Sequence, residues 1–346
     1  MCLADGSCAS QADVAYVARA PAGSDNPTCT KANPCTSLST ALQTSRRYIK
    51  LSGTTDAGAT VSIIDQDVTL LGDPGAQLTT TKNGLLLEVR GSSHVAIYDL
   101  EVTGASGATG IGISMPAGSS GAIELHRGKV TNNVGGGISI NGGSLVISQS
   151  TISGNQSNGI SFSGGSLVIS QSTISGNQDG GVSISGGTFA IVGNVFYNNG
   201  GINTSIGGIA ISTPQNAANR LEFNSFSRNQ VQDGLGAAIQ CAAGAMFTAR
   251  NNIMSENGTL SNLEQLGGTC KHSYSIVRPG TLPPGTSNTS SDPAFVDAAK
   301  GDLHILPGSP ARRAADPTSD LTGIASRDID GDPRVAPADL GADQAK

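Results

Sequence analysis

A long internal repeat constrains the fold more than any other feature of this sequence. The fifteen residues GGSLVISQSTISGNQ begin at Gly142 and occur again, without a change, from Gly164, so the period is 22 residues. A unit of that length is too short to bury its own apolar face, and neighbouring units must stack to share one core. The sequence therefore predicts a solenoid.

The apolar residues of successive repeats fall into columns separated by small polar residues. This alternation has the period of a β-strand with one face buried. Leu221, Phe223 and Phe226 continue the pattern after a longer insertion. Three strands per coil are predicted, with the columns Ile138/Ile160/Val182/Ile209 and Ile140/Phe162/Ile184/Ile211 in one strand, Leu145/Leu167/Phe189 and Ile147/Ile169/Ile191 in a second, and Ile152/Ile174/Phe196 in a third.

Asparagines mark one corner of the predicted coil. Five of them share a column: Asn133, Asn155, Asn177, Asn199 and Asn229. Asparagine tolerates left-handed backbone geometry, and its side-chain amide can bond to the amide of the next coil. We therefore expect a ladder of stacked asparagines at this corner.

The two ends of the chain differ in composition from the repeats. The segment TSLSTALQTSRRY at 36–48 predicts an amphipathic helix capped by Ser37 that plugs the first coil. From Pro279 onward proline and aspartate accumulate and the apolar periodicity fades, which predicts a loop-rich cap over the coil edge. The expected organisation is an N-terminal segment with the helix cap at 1–50, β-helix coils at 51–278 and a C-terminal cap at 279–346.

The charge pattern narrows the range of partners. The net charge is −6 and no lysine or arginine cluster is present, so neither nucleic acid nor an anionic membrane surface is an expected partner. No apolar run approaches the roughly 20 residues that a transmembrane helix needs. Because the caps are expected to cover the coil edges, we expect a monomer or weak self-association.

The six cysteines form three local groups, namely Cys2 with Cys8, Cys29 with Cys35, and Cys241 with Cys270. An even count at loop-like positions favours disulfides and an oxidising compartment. Zinc is the alternative, but no CxxC pair exists and only His272 lies close to a cysteine. We therefore expect a secreted or cell-surface protein whose leader or anchor has been removed upstream of Met1.

Two terminal segments carry a family resemblance. AYVARAPAGSDNPTCTKANPCTSLSTAL at 15–42 and SRDIDGDPRVAPADLGADQ at 326–344 resemble the opening and closing motifs of secreted bacterial right-handed parallel β-helix proteins of the pectin-lyase-like superfamily. The resemblance implies an all-β, right-handed parallel β-helix and an extracellular location. It does not imply one activity, because that superfamily includes lyases, hydrolases, epimerases and adhesins.

Catalytic residues are sparse along the repeats. Hydrolysis of a glycosidic bond needs two carboxyl groups across that bond, and lyase action on uronates needs a base beside a cation. Glu124 is the only acid between Glu101 and Asp179. Alternation places Glu124 and His126 outward beside Arg127, and these three are the catalytic candidates. The alternative is a solvated strand face whose charges discourage aggregation.

The segment DIDGD in the closing motif is a candidate calcium site. Asp328, Asp330 and Asp332 have the odd-position spacing of calcium loops, with a central glycine, although no glutamate follows at the twelfth position. The structural alternative is that Arg334 pairs with one of these acids. Calcium is the only cofactor that the sequence suggests.

The scarcity of clustered charged residues favours a function without catalysis. We expect an extracellular or cell-surface β-helix scaffold, adhesin-like, that binds carbohydrate or partner proteins through its Ser-, Thr- and Asn-rich faces. The alternative is a polysaccharide lyase or glycoside hydrolase of the same superfamily, acting near Glu124.

Overall fold

The computed structural model describes residues 9–19, 23, 26–213, 216, 218–242, 247–259 and 263–345. The chain divides into two compact units, Met1–Val146 and Ile147–Lys346. Both units consist of short parallel strands, and the predicted all-β parallel β-solenoid is confirmed. Among the described residues, no helix has the length and apolar character needed to cross a membrane.

The first unit contains one α-helix and thirteen complete strands in its described residues. In chain order, after a 3₁₀ turn at Gln11–Asp13, they are β1 (Val14–Ala18), α1 (Leu38–Gln43), β2 (Tyr48–Ser52), β3 (Thr54–Asp56), β4 (Val61–Ile64), β5 (Asp67–Gly72), β6 (Gln77–Thr79), β7 (Leu87–Arg90), β8 (His94–Tyr98), β9 (Glu101–Thr103), β10 (Ile111–Met115), β11 (Ala122–His126), β12 (Lys129–Thr131) and β13 (Gly136–Ile140).

These strands form three parallel sheets, which the chain visits in turn. Sheet A contains β1, β2, β5, β8 and β11, sheet B contains β3, β6, β9 and β12, and sheet C contains β4, β7, β10 and β13. Inward residues such as Val95 and Ile123 stack directly in register and are fully buried. Each coil therefore contributes apolar side chains from three sides to one core.

Helix α1 confirms the helix predicted near the N-terminus. The Ser37 hydroxyl caps it by accepting the backbone N–H groups of Ser39 and Thr40. Its buried residues, Leu38, Ala41 and Leu42, lie on the side of the helix that contacts β1 and β4. The apolar spacing thus selected the correct helix face.

The second unit begins inside a strand, β14 (Ser144–Ser148). The strands that follow are β15 (Thr151–Ser153), β16 (Asn158–Phe162), β17 (Ser166–Ser170), β18 (Thr173–Ser175), β19 (Gly180–Ile184), β20 (Thr188–Val192), β21 (Val195–Tyr197), β22 (Ile209–Ile211), β23 (Arg220–Glu222), β24 (Ser225–Ser227), β25 (Ile239–Cys241), β26 (Thr248–Arg250), β27 (Ile253–Ser255), β28 (Leu266–Gly268), β29 (Lys271–Ser273), β30 (Ile276–Arg278), β31 (Phe295–Asp297) and β32 (Asp302–Ile305). Short 3₁₀ turns lie at Ala298–Lys300 and Gly323–Ala325.

Three parallel sheets also form the coils of the second unit. Sheet D contains β17, β20, β23, β26 and β29, sheet E contains β15, β18, β21, β24, β27 and β30, and sheet F contains β16, β19, β22, β25 and β28. The predicted columns within this unit are confirmed, since Ile160 pairs with Val182, Val182 with Ile209, and Ile174 with Phe196.

Leu221 and Phe223 depart from their predicted columns, whereas Phe226 stacks on Phe196 as predicted. Leu221 stacks on Ile191, in the column expected for Phe223, and not on Phe189. Phe223 instead occupies the corner between β23 and β24 with φ of +55°. It is nevertheless fully buried, because it packs against the C-terminal segment of the chain rather than inside the coil.

The predicted asparagine ladder is present in the second unit. Asn177, Asn199 and Asn229 are fully buried, and each donates its side-chain N–H to the side-chain oxygen of the next asparagine, the last to Asn257. A second ladder, which we did not predict, passes from Ser172 through Asn194, Asn224 and Asn252. Both ladders satisfy polar groups at corners that water does not reach.

The C-terminal segment does more than cover the coil edge. Thr289 forms a parallel bridge with Ile276, and the Asn288 side chain bonds to the His272 carbonyl, so this part lies on the edge of the last coil. Residues 295–345 instead pack along the side of the coils. Their apolar residues, among them Ile305 and Leu340, join one cluster with Val192, Phe223, Ile253 and Ile276.

Two of the predicted disulfides are present. Cys29 pairs with Cys35, with Cα atoms 4.7 Å apart, and Cys241 pairs with Cys270, with Cα atoms 5.7 Å apart. Both separations lie in the normal range for a disulfide. Cys2 and Cys8 lie outside the described residues. The disulfide interpretation therefore holds for four of the six cysteines.

Candidate functional site

The structure brings together two of the three predicted catalytic residues on the outer face of sheet A. Glu124 and His126 lie two residues apart on β11, and His94 lies on the neighbouring strand β8. The two Glu124 carboxylate oxygens lie 2.9 Å from His94 Nε2 and 3.0 Å from His126 Nε2. One carboxylate thus bridges two imidazoles. We call these three residues the His–Glu–His cluster.

The cluster keeps its carboxylate ionised. Burial alone would raise the pKa of Glu124, but hydrogen bonds with His126 and His94 outweigh it, and the pKa lies below its usual value. The Glu124 side chain is 32% exposed and that of His126 is 20% exposed. Glu124 is therefore a charged group with both oxygens engaged, which suits an acceptor better than a proton donor.

Arg127, the third catalytic candidate, is bound at the adjacent corner. Its guanidinium donates two hydrogen bonds of 2.8 Å to the Asp99 carboxylate, and this pairing raises the pKa of Arg127. The Tyr98 ring lies between His126 and Arg127. Its centre is 4.8 Å from the centre of the His126 ring, on which it stacks, and 5.5 Å from the Arg127 guanidinium carbon. Arg127 is therefore paired with Asp99 at the surface, where their side chains are 46% and 44% exposed.

The predicted calcium residues have separate surroundings. Asp328 is fully buried, and its carboxylate accepts the backbone N–H groups of Asp330, Asp332 and Gln344. Asp330 is exposed, and its carboxylate lies 3.1 Å from His304 Nε2. Asp328 therefore organises the loop, and calcium binding at Asp328, Asp330 and Asp332 stays a prediction.

Arg334 does not form the ion pair with an aspartate that the sequence suggested. Its buried guanidinium donates to the carbonyls of Gly341 and Ala342 and lies 4.7 Å from the centre of the Phe223 ring. Within the described part of the chain, no carboxylate forms an ion pair with it. Burial lowers the pKa of Arg334 to about 10, a value at which it remains charged at neutral pH.

A second candidate site, missed by the sequence reasoning, lies beside sheet E. It is an open cleft of about 620 Å³. Its lining is about equally polar and apolar, and the exposed Ile202 and Leu263 contribute to the apolar part. We call it the Arg228 cleft. Its lining residues are Tyr197, Asn198, Ile202, Arg228, Gln230, Glu256, Gly258, Thr259, Leu263, Arg278 and Pro279.

Repeated corner geometry places the polar groups of this cleft. Asn198, Arg228 and Glu256 follow β21, β24 and β27, and each has a positive φ, of 53°, 57° and 60°. Backbone N–H groups bond each corner to the next coil, from Asn198 to Ser227 and from Arg228 to Glu256. The corners therefore stack, and a ligand could contact several coils at once. The only feature of the sequence that could have indicated this cleft is that these residues stand one place before the asparagine column.

The cleft carries more positive than negative charge. Arg228 is exposed and, within the part of the chain that the structure describes, has no ion-pair partner. Arg278 forms a 3.2 Å ion pair with Asp292 at the surface, where such pairs are weak. Glu256 is the one acid in the lining. An anionic ligand would therefore find two guanidinium groups within the cleft.

Fold and sequence together define a class, the right-handed parallel β-helix proteins. The model of the family described as "Right handed beta helix region" matches residues 78–211 and 109–275, which together exceed half of the chain. The chain belongs to this family, and the resemblance to right-handed parallel β-helix proteins is confirmed.

A solved structure agrees with the fold. The crystal structure of pectate lyase Pel9A is similar with a TM-score of 0.59 at 15% identity, covering 96% of each chain. The crystal structure of the Dettilon tailspike protein has a TM-score of 0.30 at 12% identity, covering 74% of this chain and 68% of that one. At 15% identity the likeness to pectate lyase Pel9A concerns the fold alone, and no argument rests on the tailspike protein. No curated protein matches the chain.

Proposed function

We propose that this protein is a non-catalytic extracellular or cell-surface β-helix scaffold that binds acidic polysaccharide in the Arg228 cleft. The observation that carries the proposal is the pair of arginines, Arg228 and Arg278, in an open cleft of about 620 Å³. A planar guanidinium matches a carboxylate with two parallel hydrogen bonds, which makes arginine suited to uronate recognition.

The rest of the lining fits a saccharide. Asn198 and Gln230 offer both donors and acceptors for sugar hydroxyls. Ile202 and Leu263, exposed to 62% and 44%, supply apolar surface for the less polar face of a sugar ring. Since the stacked corners extend over several coils, an elongated chain would gain contacts along its length.

The chemistry of the candidate residues argues against hydrolysis. A hydrolase needs two carboxyl groups placed across the scissile bond. Glu256 is the one carboxylate in the lining of the Arg228 cleft, and in the His–Glu–His cluster both oxygens of Glu124 are engaged. An extracellular location is supported by the disulfides Cys29–Cys35 and Cys241–Cys270, which persist in oxidising compartments.

The binding proposal can be tested with polygalacturonate as the acidic probe and a neutral β-glucan as the comparison. Affinity electrophoresis measures retention, and assays for new reducing ends and for unsaturated ends measure cleavage. The variant Arg228→Asn removes one guanidinium while keeping a residue that tolerates the left-handed corner. We expect about a tenfold or larger loss of polygalacturonate affinity, and no cleavage by the wild type.

Arg313→Asn is the matched control. Arg313 is also exposed and also has a positive φ, of 57°, but it lies outside the cleft lining. We expect it to bind polygalacturonate as the wild type does. Equal losses in both variants would show that binding follows net charge and would refute the cleft as the site. Cleavage by the wild type would refute the non-catalytic assignment.

A second candidate function is a polysaccharide lyase or hydrolase acting at the His–Glu–His cluster. The supporting observation is the ionised Glu124 carboxylate beside a half-buried His126. If cleavage of any polysaccharide is found, Glu124→Gln and His126→Gln should each reduce kcat by about 100-fold or more. Unchanged kcat in both variants would exclude this cluster as the catalytic centre.

A further inference from the structure

Three potential metal ligands meet in the C-terminal segment. His304 lies on β32, Asp330 on the loop of the closing motif, and Asp343 near the end of the chain. One ligand atom from each lies within 4.8 Å of the others, and no other such group of His, Cys, Asp and Glu is found in the described part of the chain. His304 Nε2 and Asp330 Oδ2 are already 3.1 Å apart.

The histidine is held in the orientation that a metal ligand needs. Its Nδ1 lies 2.5 Å from Asp302 Oδ1, and a carboxylate can only accept, so Nδ1 carries a proton. Nε2 faces Asp330 Oδ2 at 3.1 Å and donates a proton to it in the same way, and a metal ion bound at Nε2 would displace that proton. A carboxylate behind one ring nitrogen, with the other nitrogen facing further carboxylates, is the usual arrangement around metal-bound histidine.

Asp343 is the most buried of the three residues. The residue is 6% exposed, and Oδ2 of its carboxylate accepts the backbone N–H of Ile305 at 2.9 Å. Among the described residues no donor bonds to Oδ1, and this oxygen reaches the surface, where a cation could bind it.

Negative charge is concentrated around these three residues. Asp302, Asp330 and Asp343 surround a single imidazole, and the nearby Arg334 guanidinium donates to backbone carbonyls rather than to them. Three carboxylates would therefore attract a divalent cation to this site.

We propose that His304, Asp330 and Asp343 form a binding site for a divalent transition-metal ion of the zinc type, with Asp302 as the positioning residue. One imidazole nitrogen with carboxylate oxygens is a donor set suited to zinc, whereas calcium prefers oxygen donors alone. This site shares only Asp330 with the calcium site expected from the sequence, and it does not depend on the proposed polysaccharide binding.

The test uses the full chain after treatment with a chelator, with Zn²⁺ and Ca²⁺ added separately. Isothermal titration measures affinity and stoichiometry, and the melting temperature reports coupling to the fold, since a ligand that binds only the folded state stabilises it. We expect one Zn²⁺ per chain and a rise in Tm. His304→Gln and Asp330→Asn should each weaken Zn²⁺ binding by about tenfold or more, and Asp302→Asn by about tenfold.

Two control variants keep the test specific. Asp320→Asn removes an exposed carboxylate of the same segment that lies outside the site, and His94→Gln removes an imidazole of the His–Glu–His cluster. Both should bind Zn²⁺ as the wild type does. The proposal is overturned if the wild type does not bind Zn²⁺, if Ca²⁺ binds more tightly than Zn²⁺, or if His94→Gln rather than His304→Gln loses the site. Far-UV circular dichroism checks that each variant is folded.

Discussion

The asparagine ladder makes a quantitative prediction for Asn199→Ala. Asn199 is fully buried, and its side chain takes part in four hydrogen bonds. Its oxygen accepts the backbone and side-chain N–H groups of Asn177, at 3.2 and 2.9 Å. Its Nδ2 donates to the Ile174 carbonyl at 2.8 Å and to the Asn229 side chain at 2.9 Å. Alanine would remove all four.

The expected cost follows from the count of these bonds. An internal hydrogen bond contributes about 1 kcal/mol net, and a buried donor left without an acceptor costs about 1–3 kcal/mol. We therefore expect Asn199→Ala to lower the free energy of unfolding by about 4 kcal/mol. Urea unfolding followed by circular dichroism would show this as a lower midpoint.

Gln178→Ala is the control, because Gln178 is an exposed amide residue next to the ladder. A surface substitution of this kind changes stability by about 0.5 kcal/mol or less. Asn177→Ala combined with Asn199→Ala should cost about 1–2 kcal/mol less than the sum of the single variants, since the two residues share hydrogen bonds. Equal effects of Asn199→Ala and Gln178→Ala would show that the ladder contributes little to stability.

Two further predictions concern His272 and Phe223. Burial lowers the pKa of His272 from 6.5 to about 4. Between these pH values the unfolded state binds more protons than the folded state. The free energy of unfolding should therefore fall by up to about 3 kcal/mol as the pH drops from 6.5 to 4. His272→Leu should remove this part of the slope in urea midpoints measured across that range, and an unchanged slope would contradict the assignment. Phe223→Ala should cost about 3–5 kcal/mol and speed hydrogen exchange at Leu340 and Gly341 more than in β18, because Phe223 packs against the C-terminal segment. Uniform exchange across these regions would contradict a local role.

The residues of the repeat were enough to predict the fold. The 22-residue period, the alternation of Ile and Val with Ser, and the asparagine column were sufficient to predict strands, their register and one ladder of the second unit. These features can be recognised in the sequence because each coil repeats the same local environment. Residues that align between repeats therefore stack on one another in the structure. Ser37 and the apolar spacing after it likewise predicted helix α1 from local rules.

Tertiary structure alone decided where the chemistry lies. The Arg228 cleft depends on loops of different length beside stacked corners, and no period marks these loops. The site of His304, Asp330 and Asp343 joins a strand to two later loops of the C-terminal segment, and Phe223 faces that segment instead of the core. Contacts between non-repeating segments depend on how the chain folds back in three dimensions. The repeat period therefore predicts the scaffold but does not place the side chains of these candidate sites.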